Sequence, residues 1–451
     1  MEFDLVISGA RIMDPESGRD ETGNLGVRAG GIAAVSREPL KAAEEIDGRG
    51  LVLAPGFIDP HIHEESVEGE KPGEFRFPRQ AAACALAAGN TTILGGNCGE
   101  SNYPVGKYLI RLEKEALSIN CFTLVGSTVL RRTLGIGDYD AASPAQIARM
   151  KDMALEAMDE GALGVSFGLQ YCPGTGFAEV LALCEAVRER GAFFAVHMRY
   201  DTPPRAVETV EEVIAAARVT GAALQISHYA ANVYGVSDHG NNLEITSRLI
   251  ENSGADIGAD MYPYDTWATC IRSAVFDQGF EDFNFGVRDL EIISGPLAGR
   301  YCTPELFEEL RHASTDTNVA CHNAIPIKDL ETVYRLPFVC LGSDAIMSIG
   351  SGGVKKGHPR AAGSSARFLR EFVREKRLLS LMDGLRKLTL LPATRLGLGK
   401  KGRIREGCDA DLCLFDPETI TDNAGYGIET CALPPSGIKA VICGGRVAYI
   451  R

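Results

Sequence analysis

Six side chains in this sequence have the chemistry to bind a metal ion and move a proton: His61, His63, Cys98, His197, His228 and Asp344. His61 and His63 close the run Leu53-Ala54-Pro55-Gly56-Phe57-Ile58-Asp59-Pro60-His61-Ile62-His63. In a strand, residues two apart share a face, so the two imidazoles project side by side. Paired neutral imidazoles are half of a metal site. A bare His-x-His also arises from one hydrogen-bonded histidine beside an exposed one, and the other four residues weigh against that reading. Cys98 follows the apolar run that ends in Gly95-Gly96-Asn97. His197 ends Ala192-Phe193-Phe194-Ala195-Val196, His228 ends Ala223-Leu224-Gln225-Ile226-Ser227, and Asp344 ends Phe338-Val339-Cys340-Leu341-Gly342-Ser343. Imidazole, thiolate and carboxylate together make a zinc-type ligand set. A thiolate can bridge two metals, and the glycines flanking Cys98 allow close backbone approach. Asp344 suits a general base for metal-activated water, whose pKa zinc lowers from about 15.7 to about 7. The chemistry served is hydrolysis of an amide.

Candidates for substrate contact surround this set. Arg199, two residues after His197, would hold a substrate carboxylate or pair with Asp201. Tyr171, Tyr262 and Tyr264 would present phenols to the substrate or pack as wall. Arg272 would meet a side-chain acid or lie in a solvated loop. His358 and Arg360 follow the last apolar run in a glycine-rich loop. His239, His312 and His322 carry no pattern and are expected on loops or the surface.

For residues so far apart to meet, the chain must gather its strand ends at one place. Eight apolar strands are expected: the His61 strand, then Thr91–Gly95, Cys121–Gly126, Leu163–Phe167, Phe193–His197, Leu224–His228, Ile257–Met261 and Phe338–Ser343. Helical stretches alternate with them, including 144–160, 178–190, 206–220 and, after the last strand, 377–393. Ser143-Pro144 reads as a cap followed by a first-turn proline. Strand-helix alternation over eight units implies an α/β fold, a (β/α)8 TIM barrel, with the site at the strand C-termini. Short strands before residue 50, and Ala410–Phe415 and Ala440–Cys443 near the end, predict a small β domain made from both termini. The expected division is 1–52 with 402–451 for that domain and 53–401 for the barrel. The long 262–335 stretch reads as an inserted cap or lid.

Composition narrows the classes. The chain has 451 residues, 45% hydrophobic, with 60 acidic against 46 basic side chains and a net charge of -14. That balance argues against a nucleic-acid or anionic-membrane partner. No run is long enough to span a bilayer, and Met1-Glu2-Phe3-Asp4 does not open like a signal peptide. Thirteen cysteines, scattered singly through apolar segments, fit a reducing, cytoplasmic setting. Assembly of identical copies is compatible with these features.

With these residues assembled, the chain resembles the amidohydrolase superfamily, and more closely the D-aminoacylase (N-acyl-D-amino-acid deacylase) family. The resemblance covers nearly the whole chain. It rests on the 54–63 run, Gly96-Asn97-Cys98-Gly99, Gly164 to Gly174, His197-Met198-Arg199, Ser227-His228, Asp260-Met261-Tyr262-Pro263-Tyr264, Ser343-Asp344 and His358-Pro359-Arg360. It implies a barrel with a β-sandwich built from both chain ends. It also implies a tightly held zinc on Cys98, His197 and His228, a weaker second site on His61 and His63 with Cys98, and Asp344 as acid/base. The substrate would be a small N-acyl-D-amino acid or a close analogue. A cyclic amidase opening a hydantoin- or dihydropyrimidine-like ring is the alternative enzyme, and a metal-binding scaffold without catalysis the alternative outside enzymes. One departure bears on substrate. The family has His-x-Lys after the sixth strand, with the lysine helping to hold the substrate carboxylate; this chain has His228-Tyr229-Ala230.

Overall fold

A computed structural model describes residues 3–67, 74–200, 202–233, 235–237, 240–277, 285–314, 316–350, 353–354 and 357–451. Asp201, His239 and parts of the 262–335 stretch lie outside the described residues. Eight parallel strands form the centre: β1 (Phe57–Asp59), β2 (Asn90–Gly95), β3 (Asn120–Thr123 and Val125–Gly126), β4 (Gly164–Gly168), β5 (Phe193–His197), β6 (Ala223–Ile226), β7 (Ile257–Met261) and β8 (Val339–Leu341). The first piece of β3 pairs with β2 and the second with β4, so the ladder runs from β1 to β8 in chain order. The seam closes where Ile62 bridges Ala345 and the Ser343 N–H donates to Asp59 Oδ1 at 2.9 Å. The expected (β/α)8 barrel is therefore the fold. Strands β2, β4, β5 and β7 are buried throughout, which is why their sequences lack polar alternation.

The helix Pro144–Asp159 starts as its sequence predicts, with Ser143 and Gln146 forming a reciprocal capping box. The 377–393 stretch differs from expectation. It holds two helices, Leu381–Leu388 and Leu390–Arg395, meeting at Thr389 (φ -133°). The break lets the second helix lie under the barrel, where Ala393 and Leu396 pack with Ile58, Leu94, Leu124 and Phe193. Among the described residues no helix is long and apolar enough to cross a membrane.

Both chain ends meet in one eight-stranded sheet, ordered Arg446–Ile450, Ile438–Cys443, Leu412–Phe415, Val52–Pro55, Phe3–Asp14, Arg19–Arg28, Gly31–Ser36, with Ala42–Asp47 also on Phe3–Asp14. The hydrogen bonding is continuous rather than split between two sheets. Phe3–Asp14 makes this so: its first half pairs with Ala42–Asp47 and its second with Val52 and Leu53. The change of partner falls at Gly9, at a bulge and with φ of 67°, where an L side chain would be strained. The sheet thereby wraps a core of Leu5, Ile7, Ile12, Val27, Leu412 and Ile442. Val52–Pro55 belongs to this sheet, so the barrel begins after Pro55.

Between β7 and β8 the chain builds a small antiparallel sheet of Trp267–Cys270, Asn318–Cys321 and Leu290–Ile292, beside the helix Pro304–Arg311. It has its own core, including Ile271, Leu290, Phe307 and Val319. The helix Ile327–Arg335, by contrast, packs on β8 as a barrel helix does.

Lys387 shows how tightly the last strand is held. Its Nζ donates to Leu336 O at 2.7 Å and Val339 O at 2.8 Å, and burial pushes it down to about 8. Between about pH 8 and the ordinary lysine value the unfolded chain binds more protons, so this group makes stability rise with pH there. Denaturant unfolding of wild type and Lys387→Met across that window should show the difference in stability growing in favour of wild type as pH rises.

Candidate active site

The strand C-termini bring the predicted donors together. His61 Nε2 stands 3.4 Å from Cys98 Sγ, and His228 Nε2 stands 3.7 Å from the same sulfur. The His197 ring lies 4.6 Å, centroid to centroid, from that of His228. His63 Nε2 reaches Asp344 Oδ1 at 3.0 Å, and His61 Nε2 lies 3.4 Å from that oxygen. Cys98, His228 and Asp344 have left-handed backbone, with φ of 53°, 35° and 50°. Non-glycine residues rarely adopt it, and such strain collects at functional sites.

Neighbouring polar groups fix these side chains, and two of them had escaped the reading of the sequence. Asp260, inside β7, accepts from His61 Nδ1 at 3.0 Å and from the His228 N–H at 3.0 Å. Asp59, at the end of β1, accepts from the His61 N–H at 3.2 Å and joins the first strand to the last. Burial raises the Asp59 carboxyl to about 6 against the pull of those donors. The available signal was a carboxylate inside an otherwise apolar strand, Ile257-Gly258-Ala259-Asp260-Met261.

The electrostatics reinforce one another. Burial pushes the Cys98 thiol up, but His61, His197 and His228 more than offset it and hold it well below the ordinary thiol range. Burial likewise opposes ionisation of Asp344, yet the Arg360 guanidinium 2.9 Å from Oδ2 and the His63 bond hold its carboxyl well below the usual range. Asp344 is thus held in its anionic form, the form able to accept a proton.

The donor set fits a metal ion. His61, Cys98 and His228 each offer a ligand atom within 4.8 Å of the others, as do His61, His63 and Asp344. A nitrogen at about 2.1 Å and a sulfur at about 2.3 Å from a tetrahedral zinc stand roughly 3.6 Å apart, close to the separations found here. His197, which the resemblance groups with Cys98 and His228, also lies against both, bonded to the Cys98 thiol and with its ring beside that of His228.

A pocket opens beside this cluster. Tyr171, His197, His228, Tyr262 and Asp344 line its inner side; Ala231, Asn232, Trp267, Ala268, Thr269 and Val275 line the rest. Tyr171 and Tyr262 are both in that lining. Five other candidates are not in the lining. Arg199 forms a double hydrogen bond to Glu212, at 2.9 and 2.8 Å, and donates to Thr175 O. The strand ends at His197, so its two-residue alternation does not carry through to Arg199. Arg272 pairs with Asp316 on the surface. His358 is buried and donates to Thr266 O at 3.1 Å, which ties the cap to the chain after β8. Arg360 opens a helix and turns its charge onto Asp344. Tyr264 is buried beside His358. His312 is exposed as expected, whereas His322 bonds to Glu291 in the cap.

Comparisons with known proteins give the family. Residues 52–244 and 309–449 each match a model described as the amidohydrolase family. N-acyl-D-aspartate deacylase of Alcaligenes xylosoxydans xylosoxydans is 30% identical, with 99% of this chain and 92% of the relative aligned. The chain belongs to the amidohydrolase family. Its near relatives there are the N-acyl-D-amino-acid deacylases, and this amidohydrolase is a metal-dependent hydrolase of amide bonds. D-aminoacylase of the same organism is 29% identical over 99% of this chain and 94% of its own. Among solved structures, N-acyl-D-glutamate deacylase from Bordetella bronchiseptica, complexed with zinc and a phosphonate inhibitor, superposes with a TM-score of 0.85. Its identity is 27%, over 100% of this chain and 97% of its own.

The Cys98 loop of this amidohydrolase leaves no room at Gly168, where a Cβ would stand 2.2 Å from Cys98 O. Gly168→Ala should therefore displace Cys98 and lower the metal content of the folded protein, read by elemental analysis alongside circular dichroism.

Proposed function

We propose that this amidohydrolase uses zinc to hydrolyse the amide bond of an N-acyl-D-amino acid with an apolar side chain, with Asp344 as acid/base. The observation that carries the reading is Asp344 itself, held ionised at the pocket wall beside the donor cluster. His61, Cys98 and His228 would hold the ion, with His197 alongside. His63, with Asp344 beside it, would serve a second, weaker site. When bound, the metal polarises the carbonyl and lowers the pKa of water.

The chain's own residues supply the rest. Asp344 accepts a proton as water adds to the carbonyl carbon. It returns that proton to the amide nitrogen as the C–N bond breaks, which leaves a carboxylate and a free amino acid. His63 and Arg360 hold its two oxygens in place. Tyr171 and Tyr262 bound the space where the amide would lie.

Two observations support the choice of substrate. The relatives at 30% and 29% identity are named for N-acyl-D-amino-acid cleavage. The pocket wall away from the metal cluster is largely apolar, with Ala231, Trp267, Ala268 and Val275, and no lysine or arginine is in the lining among the described residues. A carboxylate side chain would be desolvated against that wall without a charge partner, a cost an apolar side chain avoids.

Chelation should abolish activity and added zinc restore it. Asp344→Asn should lower kcat by about 10²–10⁴-fold while the purified protein keeps its metal. In a substrate panel, kcat/KM for N-acetyl-D-leucine should exceed that for N-acetyl-D-aspartate by roughly tenfold or more. Turnover confined to cyclic imides would replace this reading with ring opening.

A further inference from the structure

We propose that Asp260 and Gln225 form a positioning pair that sets which nitrogen of His61 faces the metal cluster and anchors the His228 backbone beside it. The inference rests on the metal-centre reading above and adds to it two residues from inside the strands.

Asp260 is buried on β7, between the strands that carry His228 and Asp344. One carboxylate oxygen takes two donors at once: Oδ1 accepts from His61 Nδ1 at 3.0 Å and from the His228 N–H at 3.0 Å. A neutral imidazole has one N–H. With that proton on Nδ1, shared with Asp260, the Nε2 lone pair faces Cys98 and Asp344. The second bond fixes the backbone at a residue whose φ of 35° few side chains tolerate. A single oxygen thus locates two members of the cluster from strands at different places around the barrel.

Gln225 keeps that carboxylate from turning. Its Nε2 donates to Asp260 Oδ2 at 3.1 Å, so both oxygens are engaged and the plane of the carboxylate is set. Two glycines provide the space. A Cβ at Gly342 would meet the Asp260 side chain at 2.9 Å, and a Cβ at Gly258 would meet Gln225 Oε1 at 2.6 Å. Below Gln225 a cavity opens at the opposite end of the barrel, so a substitution there has room to relax.

The test is cobalt(II) titration of the metal-stripped full-length protein, followed by the thiolate-to-metal charge-transfer absorption of Cys98 and by chelator competition. Wild type should show the band, and Cys98→Ala should lose it. Asp260→Asn should bind cobalt about 10–100-fold more weakly, with an altered band. Gln225→Leu should shift affinity in the same direction by a smaller factor. Gly258→Ala, which displaces Gln225 without removing any polar group, provides the same readout should Asp260→Asn fail to fold. Unchanged cobalt affinity and an unchanged band in folded Gln225→Leu and Gly258→Ala would overturn the positioning role while leaving the metal centre standing. Absence of the band in wild type would overturn both.

Discussion

The constraint on which the structure turns is that ionisable groups are kept almost dry within reach of one another. His61, Cys98, His197, His228 and Asp344 are all buried. Alone, each would lose solvation energy on entering such a place and would shift its pKa toward the neutral form. Together they offset the loss, because thiolate, imidazole and carboxylate are complementary. A closed barrel suits this arrangement, since its strand ends converge on one mouth while each backbone is held rigidly by two neighbours. Asp59 and Asp260 extend the same logic inward by satisfying the N–H groups that the outer cluster leaves.

The sequence made the barrel and the cluster legible for one physical reason. The strands are buried on both faces, so they stand out as apolar runs, and a polar residue at the end of such a run has few uses other than chemistry. His197, His228 and Asp344 are all seen this way. The same reasoning failed at Arg199, where the strand had already ended and alternation no longer applied. It also failed at Arg360 and His358, whose partners, Asp344 and Thr266, are distant in the chain. Asp260 and Gln225 lie inside strands rather than at their ends, so strand-end position does not reveal them, although a charge inside an apolar strand is at least as costly to bury. The terminal sheet was readable strand by strand. Its continuity was not, because the change of partner at Gly9 depends on long-range pairing.

The outer layers shape what the cluster can act on. The segment between β7 and β8 folds around its own core and presents Trp267, Ala268, Thr269 and Val275 to the pocket. The short helix Tyr229–Val233, which follows directly from His228, contributes Ala231 and Asn232. The pocket wall is thereby drawn from two parts of the chain. One wall belongs to the cap and to a helix five residues long, the other to the barrel. Ala230, in the same short helix, is buried in the core and does not line the pocket.

The left-handed backbone at Cys98, His228 and Asp344 bears on how this protein can be improved. Conformations of this kind cost about 1–3 kcal/mol each in a non-glycine residue. Glycine would relieve that cost at all three places, and at all three it would delete a side chain of the donor cluster. Selection for heat resistance alone would therefore pull toward inactive proteins at these positions. Thermostable descendants should instead be sought in the terminal sheet and the outer helices, where lowering the free energy of the fold does not compete with the chemistry.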